Sequence, residues 1–123
     1  MANAQVVVSR RTGGKKASLS MEGIEDALGR ILEEIQTDLF ARGKSYLEAH
    51  TTAAETLDEL ARAMEDVKGF VRVPWCGMQS CEDTIRGRTG ASPRVIPLDD
   101  APSGNCPVCG MPSKYSVYYA RAY

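Results

Sequence analysis

The placement of four cysteines constrains this 123-residue chain more than any other feature. They form two close pairs: Cys76-Gly-Met-Gln-Ser-Cys81, with four residues between the thiols, and Cys106-Pro-Val-Cys109, with two. Each spacing lets two thiolates converge on one ion from a tight turn, and two such turns brought together supply the tetrahedron of a structural zinc. Gly77 follows the first cysteine and Gly110 the last. Knuckle turns need positive φ there, with backbone amides free to hydrogen-bond sulfur. The expectation is one zinc ion held by Cys76, Cys81, Cys106 and Cys109. Cysteine fills all four positions and leaves none for an activated water, so the ion is expected to be structural.

Other readings of the cysteines fit less well. Four unrelated buried thiols would have to fall into two close pairs by chance. A redox role for Cys106 and Cys109 calls for a helix N-terminus after a strand, whereas Gly110-Met111-Pro112 follows here. Disulfides do not persist in a reducing cytoplasm, and that is where the chain is expected to reside. No apolar run approaches the roughly 18 residues that span a bilayer, and Arg10, Arg11, Lys15 and Lys16 after a short valine run do not read as a signal peptide. The formal net charge is −1, so no global positive field draws the chain to nucleic acid or to a membrane. Residues 69–123 are too few to bury much core. A structural zinc, with roughly 10–16 kcal/mol of apparent folding free energy, is the kind of staple such a segment needs.

Periodicity lays out the rest. Gln5-Val6-Val7-Val8 is β-branched and runs into the breaker Thr12-Gly13-Gly14-Lys15-Lys16, which predicts a strand and a loop. A lone strand is unstable, so the abrupt start suggests a missing upstream segment. From residue 21 to about 50, Ile24, Leu28, Ile31, Leu32, Ile35 and Leu39 recur at helical steps, with Ser20 as N-cap. Thr52-Ala53-Ala54-Glu55 has capping-box spacing and predicts a second helix through Leu57, Leu60, Ala61 and Met64, packed against the first and ending before Gly69. Residues 70–75 and 115–120 read as strands, 93–98 as a short strand between prolines, and 81–88 as a short helix stopped near Gly90. Tyr115, Val117 and Tyr119 would cover one sheet face at period two. Trp75 would pack over the zinc site, and His50, at a helix end, is not expected to be a ligand.

Trp75-Cys76-Gly77, Cys81-Glu82, Ile85, Thr89-Gly90-Ala91, Arg94-Val95-Ile96-Pro97-Leu98, Cys106-Pro-Val-Cys109-Gly110 and Tyr119-Ala-Arg-Ala-Tyr123 follow one another in an order that resembles the C-terminal domain of prolyl-tRNA synthetases of the archaeal and eukaryote-like type. The first residues, Met1 through Arg11, resemble the closing strand of that enzyme's anticodon-binding domain, and the helix from Met21 its exit helix.

The resemblance implies an α+β fold, in which a long N-terminal amphipathic helix pair region precedes a small mixed-sheet zinc-binding domain. It divides the chain into a strand and loop remnant of the anticodon-binding domain (1–20), a two-helix connecting region (21–68) and the zinc domain (69–123). It also implies a role in ATP-dependent ligation of proline to tRNA(Pro). ATP would bind only through a catalytic domain that this sequence lacks, so the chain alone is expected to be inactive. The implied partners are the catalytic and anticodon-binding domains of the parent synthetase, a homodimer, and through it tRNA(Pro). The Tyr123 carboxylate would reach toward the parent active site. Arg10, Arg11, Lys15 and Lys16 would form a basic loop suited to tRNA phosphates, whereas Arg86, Arg88 and Arg94 read as solvent-facing. The alternatives are a freestanding zinc module that binds nucleic acid or a protein partner, and a thiol redox protein.

Overall fold

The computed structural model describes residues 4–66 and 69–122. Two compact units divide the chain, Met1–Ser45 and Tyr46–Tyr123.

In the first unit, strand β1 (Gln5–Val8) pairs antiparallel with β2 (Ala17–Ser20), Gln5 opposite Ser20 and Val8 opposite Ala17. The β-branched run at the start thus finds its partner within the chain. Its mate, Ala-Ser-Leu-Ser, has a single large apolar side chain, too weak a pattern to read as a strand. The long helix α1 (Ile24–Ala49) follows. Its first bond runs from the Ala27 amide to the Gly23 carbonyl, at 3.2 Å. The Ser20 hydroxyl accepts instead from the Glu22 amide, at 3.1 Å, in the turn ahead of the helix. Ser20 therefore fixes the approach to α1 and does not cap its first turn.

The second unit is built on a four-stranded mixed sheet in the order β3-β4-β6-β5, where β3 (Thr51–Ala53) is parallel to β4 (Phe70–Trp75) and the pairs of β6 (Tyr115–Arg121) with β4 and with β5 (Ala91–Val95) are antiparallel. Helix α2 (Leu57–Asp66) lies between β3 and β4, and α3 (Gln79–Thr89) between β4 and β5.

The capping box sits four residues later than the spacing at Thr52 predicts. Thr52 belongs to β3, opposite Val71. Thr56 caps α2: its hydroxyl accepts from the Glu59 amide, and the Glu59 carboxylate accepts from the Thr56 and Glu55 amides. Those amides, Glu55 first and then Thr56, hold the Glu59 carboxyl below its ordinary range. Gly90 ends α3 with φ 69°, donating its amide to the Arg86 carbonyl at 2.8 Å.

The register sets Val71 opposite Tyr119 and Val73 opposite Val117, so these four side chains share one sheet face. They are fully buried together with Leu60 of α2 and Ile85 of α3. Burial of side chains of this size stabilises by roughly 1.5–3 kcal/mol each. Tyr115, placed on the same face by period two, stays partly exposed beside Trp75. The strand around Val95 begins earlier than its prolines suggest, at Ala91. It bulges between Pro93 and Val95 and ends there, leaving Leu98 100% exposed.

Gly69 has a role that its position after a helix conceals. A Cβ on it would lie 2.0 Å from the His50 carbonyl oxygen. That carbonyl accepts from the Phe70 amide at 2.8 Å, where the β3 and β4 backbones first meet.

Candidate metal centre

Two elements of regular structure hold the first cysteine pair. Strand β4 ends at Trp75 and delivers Cys76; Gly77 turns the chain at φ 89°, and Cys81 falls in the first turns of α3, its amide donating to the Met78 carbonyl at 3.2 Å. The second pair lies in the long connection between β5 and β6. The Cys106 amide donates to the Met111 carbonyl, the Gly110 amide to the Cys106 carbonyl, and an isolated bridge joins Asn105 to Pro112. Gly110 has φ 70°. Both glycines thus take the left-handed conformation that the knuckle spacing requires.

A backbone bond beside the cluster joins the chain after the second knuckle to the strand before the first: the Lys114 amide donates to the Trp75 carbonyl at 2.8 Å. Nothing in the Lys114 side chain could have signalled this, since the amide makes the bond.

The result is a cluster in which the four Sγ atoms all lie within 4.8 Å of one another, and all four cysteines are free thiols. A tetrahedral thiolate site with metal–sulfur bonds of about 2.3 Å needs sulfurs about 3.8 Å apart, so a small contraction would close the cluster on one ion. Among the described residues, this quartet is a group that could hold a metal ion. Trp75 and Val108 pack against it, as the position of Trp75 suggested.

Exposure divides the four thiols. Cys76, Cys81 and Cys106 are 5%, 3% and 2% exposed, whereas Cys109 faces solvent. Burial pushes the Cys76 thiol up, and it pushes Cys81 up to about 12, with hydrogen bonds among the neighbouring thiols adding to the shift. Burial acts on Cys106 in the same sense, but the amides of Cys109, Val108 and Cys76 donate toward its sulfur and bring it down to about 7. Tyr119 also belongs to this environment. Its phenol is raised by burial first and then by the negative charges of Glu82 and the nearby cysteines, and its hydroxyl finds no hydrogen-bond partner among the described residues. The sequence gives Tyr119 a place on a sheet face and in the terminal motif, with no link to the thiols.

Arg10 is paired with Glu34 of α1, and Arg11, Lys15 and Lys16 are exposed in the connection between β1 and β2. His50 Nδ1 is 2.8 Å from the Tyr46 carbonyl oxygen, and its ring stacks on that of Tyr46. Arg86 and Arg88 pair with Glu82 and Asp58. Tyr123 lies outside the described residues.

Residues 57–123, from the first residue of α2 through both knuckles, match the family model described as prolyl-tRNA synthetase, C-terminal. The chain belongs to this family. The proline–tRNA ligase of Lachnoclostridium phytofermentans is 35% identical over 120 residues, and that of Oceanobacillus iheyensis 37% identical over 120 residues; each match covers 97% of this chain and 25% of the relative. The chain thus spans about a quarter of the length of the curated relatives it matches. Among solved structures, a prolyl-tRNA synthetase from Cryptosporidium parvum, complexed with halofuginone and AMPPNP, superposes with TM-score 0.87 at 24% identity over 98% of this chain and 26% of that one. At that identity the likeness speaks for the fold. The fold of this prolyl-tRNA synthetase C-terminal chain is mixed α and β, as its sequence resemblance implied. Among the described residues no helix is long and apolar enough to cross a membrane.

Proposed function

We propose that this chain is the zinc-binding C-terminal part of a prolyl-tRNA synthetase, supporting ATP-dependent ligation of proline to tRNA(Pro) in the whole enzyme. Cys76, Cys81, Cys106 and Cys109 are the ligands of one structural zinc. The observation that carries this reading is the convergence of four free thiols from two knuckles within 4.8 Å, in a chain of this family. The donor set fits the ion, since thiolates are its preferred structural ligands. Bound there, zinc supplies the charge that keeps four crowded sulfurs deprotonated and cross-links the end of β4 to the connection before β6.

On this reading residues 69–123 form the zinc domain, 21–68 connect it, and 1–20 close the anticodon-binding domain. ATP and proline bind in the parent's catalytic domain, the parent acts as a cytoplasmic homodimer, and the Tyr123 carboxylate serves its active site. Exposed Arg11, Lys15 and Lys16, with Arg10 beside them, offer charge to tRNA phosphates.

Elemental analysis of the folded chain should find one zinc per chain, and an aminoacylation assay with ATP, proline and tRNA should find no activity for the chain alone. A metal-free folded chain would sink the first claim, and turnover would sink the second. The exposed basic residues also favour a second reading, a freestanding module that binds nucleic acid. A salt-dependent affinity of the isolated chain for tRNA, indifferent to any catalytic partner, would select it.

A further inference from the structure

We propose that Cys109 is a site of oxidative modification, through which a hydroperoxide opens the metal centre; this rests on the zinc reading above. Three of the four thiols are at most 5% exposed, held by β4, by α3 and under the second knuckle, while Cys109 alone faces solvent. Beside it the knuckle backbone is open, with Gly110 exposed and Met111 55% exposed. Oxidation of cysteine follows thiolate character and access. Metal ligation makes all four sulfurs thiolates, so access decides among them, and only Cys109 has it.

The chemistry balances with hydrogen peroxide as the oxidant. The Cys109 thiolate attacks one peroxide oxygen and the O–O bond breaks, giving a sulfenic acid and hydroxide. The Cys106 thiolate then attacks the Cys109 sulfur, forming the S–S bond and expelling a second hydroxide. Two thiolates have lost two electrons and the peroxide has gained them. Cys106 is the partner because it sits three positions away in the same knuckle, outside regular structure, whereas Cys76 and Cys81 are fixed at a strand end and in a helix. The two thiolates left, Cys76 and Cys81, cannot complete a tetrahedron, and the ion is released. A dithiol reductant with added zinc restores the site.

The test treats the zinc-loaded full chain with hydrogen peroxide, follows zinc release with a chromogenic chelator, and maps disulfides by mass spectrometry at early times. The expected first product is a Cys106–Cys109 disulfide formed in step with release. Cys109→His, which keeps four ligands, should slow release at least about fivefold, in line with the dependence on thiol access. A first disulfide between Cys76 and Cys81, or release from a zinc-loaded Cys109→His chain at the unsubstituted rate, overturns the inference alone. Should the variant fail to bind zinc, the disulfide map of the unsubstituted chain decides. An untreated chain that carries no zinc overturns the proposed function, and the inference with it.

Discussion

The two compact units handle apolar surface in opposite ways. Among the described residues of the first, none is buried, and α1 exposes Leu28, Leu32, Leu39 and Phe40, the last to 70%. In the second, Leu60, Val71, Val73, Ile85, Val117 and Tyr119 are sealed from solvent, with the thiol cluster beside them. Apolar residues recur at helical steps in both, so an apolar stripe by itself does not say whether a core forms. What differs is closure: the second unit has a sheet face covered by two helices and a quartet of sulfurs that ties a loop to a strand end.

On the proposed zinc reading, the largest effect that tests this contrast comes from the metal. Stripping zinc with a chelator should remove roughly 10–16 kcal/mol of apparent folding free energy from the second unit, read as loss of the Trp75 fluorescence signature and of amide protection in β4 and β6. Unchanged protection there would break the comparison. The affinity should also fall as pH falls. Cys76 and Cys81, raised by burial, each release a proton as the ion binds. Cys106, near 7, releases one only below about that pH. A plot of log affinity against pH should therefore steepen by one proton on the acid side of 7.

Next in size is Leu60→Ala, which opens a cavity under the sheet and should cost about 2–5 kcal/mol in denaturant unfolding of the zinc-loaded chain. Gly69→Ala should cost about 1–3 kcal/mol, because its new methyl meets the His50 carbonyl backbone and cannot be accommodated by side-chain motion. The smallest effect sharpens the contrast: Leu32→Ala on α1, a residue 66% exposed, should stay within about 0.5 kcal/mol by the same measurement. A Leu32→Ala cost as large as that of Leu60→Ala would mean that α1 is covered after all.

The thiol cluster was the most legible part of the fold because its determinants are local. Cysteine spacing and Gly77 and Gly110 encode each knuckle within a few residues. Helix α1 and strands β4 and β6 were legible too, since strong periodicity survives any tertiary context. The capping box was misplaced because Thr52–Glu55 and Thr56–Glu59 carry the same spacing, and only the pairing of Thr52 with Val71 takes the first out of the helix. Strands β2 and β3 escaped notice, being four and three residues long with little apolar content.

The sequence by itself determined the two cysteine pairs that converge, the long helix, the two main strands and the likeness to prolyl-tRNA synthetases, all properties written in short-range spacing or in residue order. Only the tertiary structure decided which thiol meets water, that α2 joins the sheet's core through Leu60 and Met64, and that Gly69 must be a glycine. Each of these depends on groups far apart in the chain arriving at the same place, and a local pattern carries no information about such arrivals.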